Sequence, residues 1–314
     1  MFDFSIVIPV YFNAGSLHFV ADELRKKVLT RTDGLKGEIV FVDDGSGDAS
    51  YDELKEIKAA HPEDVRVYKL SRNFGQVHAI WCGFEKCEGA ALFMAADGQE
   101  PVEIVNQMLD AHFNRGKEVV IAKREARDES WWRKSTSAIV YWLMKKLSNK
   151  DMPTGGFDFC LLGAKARKAL VANWQPHTFL QARILSLGFS REWIGYHREA
   201  RKAGKSRWTF AKKLTYMLDG VLGHSYVPIR LISLLGLIVS LSSFLLAGAF
   251  LVNYMVCGAE VRGLTPIMLL VLFVGGVQMV MIGVLGEYLW RVLAQARRDV
   301  PYIVEESLDR NGMA

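Results

Sequence analysis

Two long stretches without a charged residue constrain the fold of this chain more than any other feature of its sequence. Residues 231–252 form one stretch of 22 residues, and residues 264–286 form another of 23. A helix of about 22 residues is roughly 33 Å long at about 1.5 Å per residue, enough to cross a hydrocarbon core of about 30 Å. We therefore predict two membrane-spanning helices joined by a short loop, residues 253–263. The alternative is a buried helical hairpin in a soluble protein.

Positively charged residues lie on the outer sides of both apolar stretches. Arg230 precedes the first stretch, and three arginines follow the second: Arg291, Arg297 and Arg298. Flanking segments rich in Lys and Arg remain in the cytoplasm, so this pattern predicts that both termini are cytoplasmic. Residues 1–3 lack the basic segment that begins a cleavable signal peptide. Together these features predict a multi-pass protein of the inner, cytoplasmic membrane.

The charge and the cysteines argue against several other classes of protein. The formal net charge of +5 is mild and no nucleic-acid-binding motif is present, so no nucleic acid partner is expected. The cysteines show neither Cys-x-x-Cys spacing nor a nearby pair of histidines, which predicts packed, reduced thiols rather than disulfides or zinc ligands. The four cysteines are Cys82, Cys87, Cys160 and Cys257.

Short β-branched runs alternate with helical patterns before residue 125. The predicted strands are residues 4–10, 38–42, 65–70, 90–94 and 119–122. Helices are predicted at residues 16–29, 51–60 and 76–84, with a further helix beginning near Pro101. Strands that alternate with helices pair in parallel through right-handed crossovers. The sequence therefore predicts an α/β domain with a mostly parallel sheet, followed by the membrane helices.

Acidic residues follow two of the predicted strands. Asp43 and Asp44 end the second strand and precede Gly45, and Asp97 follows the fourth strand. Ligands of parallel α/β sheets bind at the carboxyl ends of the strands. Carboxylates at that edge suit a metal ion or a ligand held through one. The alternatives are a surface turn for the first pair and a helix cap for Asp97.

Four short motifs lie at these strand ends. They are residues 6–11 (Ile-Val-Ile-Pro-Val-Tyr), 42–48 (Val-Asp-Asp-Gly-Ser-Gly-Asp), 71–75 (Ser-Arg-Asn-Phe-Gly) and 95–101 (Ala-Ala-Asp-Gly-Gln-Glu-Pro). Because these motifs occur in this order and are followed by the apolar stretches, the chain resembles the membrane-bound family 2 glycosyltransferases that load a sugar onto a polyprenyl phosphate. Dolichol-phosphate mannosyltransferases and bacterial undecaprenyl-phosphate glycosyltransferases belong to that branch. The resemblance implies a Rossmann-like GT-A fold, an inverting reaction, a nucleotide-sugar donor, Mg²⁺ or Mn²⁺, and a homo-oligomer.

The resemblance gives roles to residues at each motif. It implies that the nucleotide-sugar is bound by Pro9, Tyr11, Asn13, Asp43, Asp44, Arg72, Asn73 and Ala96. It also implies that Asp97 and Gln99 meet the metal and the diphosphate, with Asp97 catalytic. The family usually has Asp-Ala-Asp where this chain has Ala95-Ala96-Asp97, so one carboxylate is absent. Because these metals also take oxygen ligands from water and phosphate, we expect a weakly held metal; a metal-independent or inactive variant is the alternative.

Two later segments resemble the acceptor site of the family. Residues 153–159 contain two glycines that let the backbone approach a ligand, and Asp158 matches the catalytic acidic residue near the acceptor. A phosphate acceptor is already anionic, so we expect Asp158 to orient the acceptor or the sugar more than to remove a proton. Residues 197–208 are densely basic, which suits phosphate oxygens or, alternatively, anionic lipid headgroups. The implied acceptor and phosphate contacts are Gln181, Arg201, Ser206 and Arg207.

These features divide the chain into four predicted regions. They are a cytoplasmic GT-A glycosyltransferase domain (1–205), juxtamembrane amphipathic helices (206–229), a transmembrane hairpin (230–290) and a cytoplasmic tail (291–314). Residues 130–147 mix aromatic and basic side chains, which suits either a membrane interface or packing inside the domain. Residues 301–304 resemble the end of the family's chains and are predicted to pair as a strand with a neighbouring subunit.

The sequence as a whole predicts an inverting glycosyltransferase that moves a sugar from a nucleotide-sugar to undecaprenyl phosphate for a cell-surface glycan or lipid. The reaction is expected at the cytoplasmic membrane face. Polymer synthesis is not expected, because the Gln-x-x-Arg-Trp signature of processive synthases is missing. One alternative is transfer to another membrane-associated acceptor, such as a diphosphate-linked saccharide. The other, suggested by Ala95, is a degenerate scaffold that binds a partner through its membrane hairpin.

Overall fold

The computed structural model describes residues 2–124, 157, 159–175, 179–197, 227–257, 264–297, 300–309 and 312–313. The chain forms two compact units. One contains Met1–Gly220 together with Val300–Ala314, and the other contains Val221–Asp299. The first unit therefore includes both ends of the chain.

Strands and helices alternate through the first unit. In chain order they are β1 (Phe4–Val10), α1 (Leu17–Leu24), a π-helical turn (Arg25–Leu29), β2 (Gly37–Asp43), α2 (Ser50–Ala60), β3 (Val65–Leu70), α3 (Gln76–Lys86), β4 (Ala90–Phe93), α4 (Val102–Phe113) and β5 (Val119–Arg124). Further along the chain come β6 (Cys160–Leu162), α5 (Ala164–Val171), α6 (Leu180–Ser186) and β7 (Arg191–Tyr196). The C-terminal tail adds β8 (Val304–Asp309) and β9 (Gly312–Met313).

The described strands form one mixed sheet in the order β7-β5-β6-β4-β1-β2-β3-β8-β9. Strands β4, β1, β2 and β3 are neighbours and run parallel, and β5 also pairs in parallel with β7. Strand β6 runs antiparallel to β4 and β5, and β8 runs antiparallel to β3. The carboxyl ends of β1, β2, β3 and β4 therefore lie along one edge of the sheet.

The core lies on both faces of the central strands. Four successive side chains on β2, from Ile39 to Val42, and most of those on β1 are apolar and fully buried, as expected for parallel strands that helices cover on both faces. Helix α3 packs closely on this layer, because a Cβ atom on Gly83 would lie 2.2 Å from Cγ1 of Val7. The ends of the parallel strands are thus held by a densely packed core.

The α/β class, the parallel pairing and the five strands predicted before residue 125 are confirmed. The predicted helix at residues 16–29 differs, since the α-helix ends at Leu24 and the chain continues as a π-helical turn to Leu29. Strands β6 and β7 were not predicted. Strand β6 has three residues, too few to show the alternation of apolar and polar residues that identifies a strand.

The C-terminal tail forms strand β8, which pairs antiparallel with β3 of the same chain. Val67 lies opposite Leu308, and Leu70 lies opposite Val304. A strand was predicted at residues 301–304, but the strand of the tail begins at Val304 and continues to Asp309, and its partner here is the chain's own β3. Pairing of the tail with a neighbouring subunit stays a prediction. The backbone groups along that edge of β3 would otherwise lack strand partners, which accounts for the pairing.

The second unit contains two long helices, α7 (Val227–Cys257) and α8 (Leu264–Ala296). Helix α7 includes residues 253–257, which were wrongly predicted as part of the loop. Glycine is common just after the end of a helix, and the first glycine after this helix in the sequence is Gly258. Within the described residues one stretch, Phe273–Ala296, is long and apolar enough to cross a membrane. Most of its large apolar side chains are exposed in this chain. A second spanning helix stays a prediction.

Several predicted features lie outside the described residues. They are the aromatic and basic segment at residues 130–147, most of the loop at residues 153–159, the segment at residues 206–226, and the side chains of Asp158, Arg201, Ser206 and Arg207. The predicted region boundaries near residues 205, 229 and 290 also stay predictions.

Candidate functional site

Four loops meet at the carboxyl edge of the parallel strands. The first loop (residues 11–16) follows β1, and the second loop (residues 44–49) follows β2. The third loop (residues 71–75) follows β3, and the fourth loop (residues 94–101) follows β4. Because these strands are parallel neighbours, loops that are distant in sequence can contact each other directly.

Asp44 joins the second loop to the third. Its backbone N–H donates to the carbonyl of Val10 at 2.8 Å, which fixes the start of the second loop against β1. Its carboxylate accepts hydrogen bonds from the N–H of Phe74 at 2.7 Å and of Gly75 at 2.9 Å. The side chain is only 2% exposed. One buried carboxylate therefore sets the end of the third loop.

The backbones of the second and third loops also touch. Gly45 has a φ of +66°, and a Cβ atom at this position would lie 2.6 Å from the backbone carbonyl carbon of Arg72. Only glycine combines that conformation with that approach. The Asp-Asp-Gly sequence thus supplies two requirements of this contact, a buried acceptor and a residue without a side chain.

Asp43 presents a buried oxygen atom at the same edge. The residue is fully buried at the end of β2, and its Oδ2 accepts a hydrogen bond from the N–H of Ser46 at 3.1 Å. Its Oδ1 has no hydrogen-bond partner in the part of the chain that the structure describes. A buried acceptor without a partner is costly, so this atom marks a place where a donor group of a ligand fits.

Burial also changes the acidity of both carboxyl groups. It raises the pKa of Asp44 to about 6, against the opposing effect of the two amide donors. It raises the pKa of Asp43 as well, against the hydrogen bond from Ser46. Paired acidic groups with perturbed pKa values in a cleft are typical of functional sites.

Hydroxyl groups of serine hold the first loop in place. The N–H of Phe12 donates to Oγ of Ser46 at 3.1 Å, and the N–H of Asn13 donates to Oγ of Ser50 at 2.9 Å. Phe12 has a φ of +55°, which is unusual for a residue other than glycine. The first loop is therefore fixed against the second by contacts at consecutive residues.

Ser16 connects the first loop to the fourth. Its Oγ lies 2.9 Å from the carbonyl oxygen of Ala96 and 2.8 Å from that of Asn13. In the fourth loop, Oδ1 of Asp97 accepts a hydrogen bond from the N–H of Gln99 at 3.3 Å. Asp97 is 9% exposed and Gln99 is 6% exposed. Both side chains are thus held in a compact turn next to the first loop.

The carboxyl edge of the parallel strands, which carries Asp43, Asp44 and Asp97 and is called the acidic edge below, fits a metal ion only if a bound ligand supplies further coordinating oxygen atoms. Among the described residues, no group of three or more His, Cys, Asp and Glu side chains is arranged to hold a metal. Asp97 and Gln99 offer one carboxylate and one amide oxygen, which are hard ligands of the kind that Mg²⁺ and Mn²⁺ prefer. These residues fit a divalent cation that takes its other ligands from a bound phosphate and water.

The remaining predicted residues are placed as follows. Arg72 and Asn73 are exposed, and the Arg72 guanidinium stacks over the ring of Phe74 at 4.2 Å. Pro9 lies in β1 opposite Val42. Gln181, on α6, donates a hydrogen bond from Nε2 to the carbonyl of Phe157 at 2.8 Å, which ties that helix to the segment preceding Asp158.

The structure brings most of the predicted donor-site residues into one network of loops. These are Tyr11, Asn13, Asp43, Asp44, Arg72, Asn73 and Ala96. Their proposed contacts with a ligand stay predictions. The residues that connect the loops, Ser16, Ser46 and Ser50, were not singled out from the sequence, although Ser46 stands in the Asp-Asp-Gly-Ser motif itself.

Comparison with known proteins identifies the family. Residues 5–170, more than half of the chain, match the family described as Glycosyl transferase family 2. The putative glycosyltransferase CsbB of Bacillus subtilis is 31% identical over 304 residues, which cover 96% of this chain and 91% of that protein. The undecaprenyl-phosphate 4-deoxy-4-formamido-L-arabinose transferase of Pectobacterium atrosepticum is 32% identical, over 97% of this chain and 93% of that protein.

Two further similarities extend this result. The SfII prophage-derived bactoprenol glucosyl transferase of Shigella flexneri is 28% identical over 96% of this chain and 97% of its own. The solved structure of the mannosyltransferase PcManGT from Pyrobaculum calidifontis, in complex with GDP-Man and Mn²⁺, superposes with a TM-score of 0.51. It covers 69% of this chain and 62% of its own at 13% identity, and so supports the GT-A-like fold alone. With a matching family model and full-length relatives, the chain belongs to glycosyl transferase family 2 and is a glycosyltransferase.

Proposed function

We propose that the protein transfers a sugar from a nucleotide-sugar donor to a polyprenyl phosphate at the cytoplasmic face of the membrane, with inversion at the anomeric carbon. The observation that carries the proposal is similarity over nearly the whole chain to transferases named for bactoprenol and undecaprenyl phosphate. The family match covers residues 5–170, within the α/β domain, whereas these similarities over nearly the whole chain also include the apolar helices.

The loop network supports binding of the donor at the acidic edge. The buried Oδ1 of Asp43 suits an N–H or O–H group of the nucleoside, because it has no hydrogen-bond partner among the described residues. Arg72, exposed at the neighbouring third loop, suits the diphosphate through a charge-assisted hydrogen bond. Asp44 acts indirectly in this proposal, by holding the third loop where Arg72 can reach the donor.

The fourth loop is proposed to hold a divalent cation, Mg²⁺ or Mn²⁺, through Asp97 and Gln99. A cation bound there would supply positive charge next to the leaving diphosphate. Ala95 stands where the family resemblance implies a carboxylate, so most of the remaining ligands would come from the diphosphate and water. Binding of the cation should therefore depend strongly on the presence of the nucleotide.

The proposed reaction forms one bond and breaks one bond at the sugar. An oxygen of the acceptor phosphate attacks the anomeric carbon, and the bond from that carbon to the nucleoside diphosphate breaks. The acceptor oxygen is already anionic near neutral pH, so no strong general base is required. In this proposal Asp158 orients the acceptor or the sugar, while Gln181, Arg201, Ser206 and Arg207 contact the acceptor phosphate.

The connectivity of the chain supports two membrane crossings. The segment that contains both long helices leaves the first unit and returns to it, because β8 pairs with β3 in the same sheet. This connectivity supports the proposal that both flanks of the segment lie on one side of the membrane, with an even number of crossings. With Phe273–Ala296 as one crossing, we propose that the uncharged stretch at residues 231–252, within α7, supplies the other. This arrangement gives a two-span protein with both termini in the cytoplasm.

A transfer assay tests the proposal. The full chain in detergent is mixed with undecaprenyl phosphate, Mg²⁺ or Mn²⁺, and labelled UDP-, GDP- and dTDP-sugars in turn. We expect label from one donor to enter the lipid fraction. Failure of every donor while nucleotide binding is intact would overturn the proposed acceptor, and loss of nucleotide binding as well would favour a non-catalytic scaffold.

A matched pair of variants tests the proposed metal site in the same assay. Asp97→Ala should abolish transfer while the protein stays folded, because it removes the carboxylate at the fourth loop. Asp52→Asn, which changes an exposed carboxylate on α2, should keep the wild-type rate. Full activity of Asp97→Ala would contradict the assignment of Asp97.

A further inference from the structure

We propose that the C-terminal tail positions the third loop for donor binding, with Glu306 as the main positioning residue. The inference rests on the proposed function, because it takes the nucleotide-sugar as the ligand of that loop. It gives the tail a role in the donor site although the tail lies more than two hundred residues away in sequence.

The tail fixes the first residue of the third loop through the backbone. The N–H of Ser71 donates to the carbonyl of Ile303 at 3.0 Å, directly after Leu70 has paired with Val304. The register of the pairing shifts between Lys69 and Leu70, so the strand pair is irregular where the loop begins. The start of the loop is thus set by a contact outside the β3 ladder.

Glu306 connects β3 to the helix that follows the second loop. Its carboxylate accepts a hydrogen bond from the hydroxyl of Tyr51 at 2.8 Å and lies 3.3 Å from Nζ of Lys69. The Tyr51 hydroxyl and the Lys69 ammonium hold the pKa of Glu306 below its ordinary value, so the group is ionised at neutral pH. Tyr51 lies in the first turn of α2, next to Ser50, whose hydroxyl accepts from Asn13.

Tyr302 reaches the helix on the other side of the third loop. Its hydroxyl donates to Oε2 of Glu85 at 2.8 Å, and Glu85 lies in the last turn of α3. The tail therefore contacts β3, which precedes the third loop, α3, which follows it, and α2, which follows the second loop.

These contacts leave the two predicted donor residues between fixed points. Ser71 is held by the tail, and Phe74 and Gly75 are held by Asp44. Arg72 and Asn73 lie between these anchors with exposed side chains. Loss of either anchor should let their side chains sample more positions, which raises the entropic cost of binding the donor.

The opposite end of β8 provides a matched control. Asp309 accepts a hydrogen bond from the Tyr68 hydroxyl at 2.6 Å and lies 3.9 Å from Nη1 of Arg66. Like Glu306, Asp309 therefore binds one tyrosine hydroxyl and lies near one positively charged side chain of β3. The tyrosine differs, since Tyr68 is on β3 whereas Tyr51 is on α2. Because β8 is antiparallel to β3, Asp309 contacts the amino end of β3, away from the third loop.

The experiment compares Glu306→Ala with Asp309→Ala in the full chain in detergent. Binding of UDP, GDP and dTDP, each with Mn²⁺, is measured by calorimetry, and hydrogen exchange is measured for the amides of residues 71–75. We expect Glu306→Ala to weaken binding of the nucleotide that the wild type binds by about fivefold and to speed exchange in the third loop. Asp309→Ala should leave both unchanged, even where it lowers the unfolding temperature. Glu306→Gln, which keeps an acceptor for Tyr51, should recover most of the affinity.

The outcomes separate this inference from the proposed function. Equal effects of the two alanine variants, or no effect of Glu306→Ala on third-loop exchange, would overturn the positioning role and leave the tail as a stabilising strand. Failure of the wild type to bind any of the three nucleotides would contradict the proposed function. The exchange comparison would still decide whether the tail and the third loop are coupled.

Discussion

Asp44 is the residue on which the geometry of the proposed donor site depends most. It is buried, and its two oxygen atoms accept from the consecutive N–H groups of Phe74 and Gly75. Hydrogen bonds to a charged group contribute about 1.5–3 kcal/mol each. A single side chain therefore offsets much of the cost of ordering the third loop. The same burial makes Asp44 sensitive to pH.

We predict that Asp44 makes the stability of the folded protein fall as pH rises from about 4 to about 6. Burial raises the pKa of Asp44 to about 6, above the value near 4 of an unfolded chain. The folded state then binds the proton more tightly, so this contribution is present below pH of about 4 and is lost as pH rises through about 6. Its size is about 2–3 kcal/mol, from a shift of about two pKa units.

The difference between wild type and Asp44→Asn isolates this effect. Other titrating groups, including Asp43, are present in both proteins and largely cancel. The unfolding temperature of each protein in detergent is measured from pH 4 to pH 7. The advantage of the wild type should shrink across that interval, and two parallel pH profiles would contradict the raised pKa.

At the scale of residues, the sequence predicted the acidic and loop residues but not the hydroxyl groups that connect them. Asp43 and Asp44 are recognisable because adjacent carboxylates followed by glycine are unusual at the end of an apolar strand. Ser16 gives no such signal, since serine at the start of a helix is common. Its contact with Ala96 joins residues 80 positions apart and depends on the strand order, which no local pattern encodes.

At the scale of elements, prediction succeeded where a strand has a clear local pattern. The apolar, β-branched residues of β1 and β2 identify central strands of a parallel sheet by themselves. Strand β6 has three residues and β7 carries charged residues at its start, so neither shows a clear pattern. The pairing of β8 with β3 brings together distant parts of the chain, which no local pattern of the sequence encodes.

The two long helices give a prediction at the same scale. If both cross the membrane, the connection at residues 258–263 lies on the face opposite the first unit. In a Cys257→Ser background, Glu260→Cys should react with a membrane-impermeant maleimide in intact cells. Asp52→Cys, on α2 of the first unit, should react only after permeabilisation. The native Cys82, Cys87 and Cys160 are buried, which limits background labelling.

The labelling result bears directly on the number of crossings. Reaction of both introduced cysteines only after permeabilisation would place the connection on the same side as the first unit. That outcome would contradict the two-span arrangement and favour helices that lie at the membrane surface or pack within an assembly.

At the scale of the whole molecule, one chain combines an α/β unit, whose loops form the proposed donor site, with long apolar helices. The loops of the donor site all precede residue 102, and the apolar helices begin at Val227. The relatives named for bactoprenol and undecaprenyl phosphate match both parts, over 96% and 97% of the chain. The proposed lipid acceptor would account for the two parts occurring together, since a water-soluble acceptor would not require apolar helices of this length.

The most direct test of this account is the mass of the lipid product. Purified full-length protein is incubated with undecaprenyl phosphate, a divalent cation and the nucleotide-sugar that it accepts, and the lipid is analysed by mass spectrometry. We predict a lipid that has gained one sugar residue and keeps a single phosphate, with one nucleoside diphosphate released for each lipid formed. A product with two phosphates and release of nucleoside monophosphate would show transfer of a sugar phosphate. That result would contradict the proposed attack of the acceptor phosphate on the anomeric carbon.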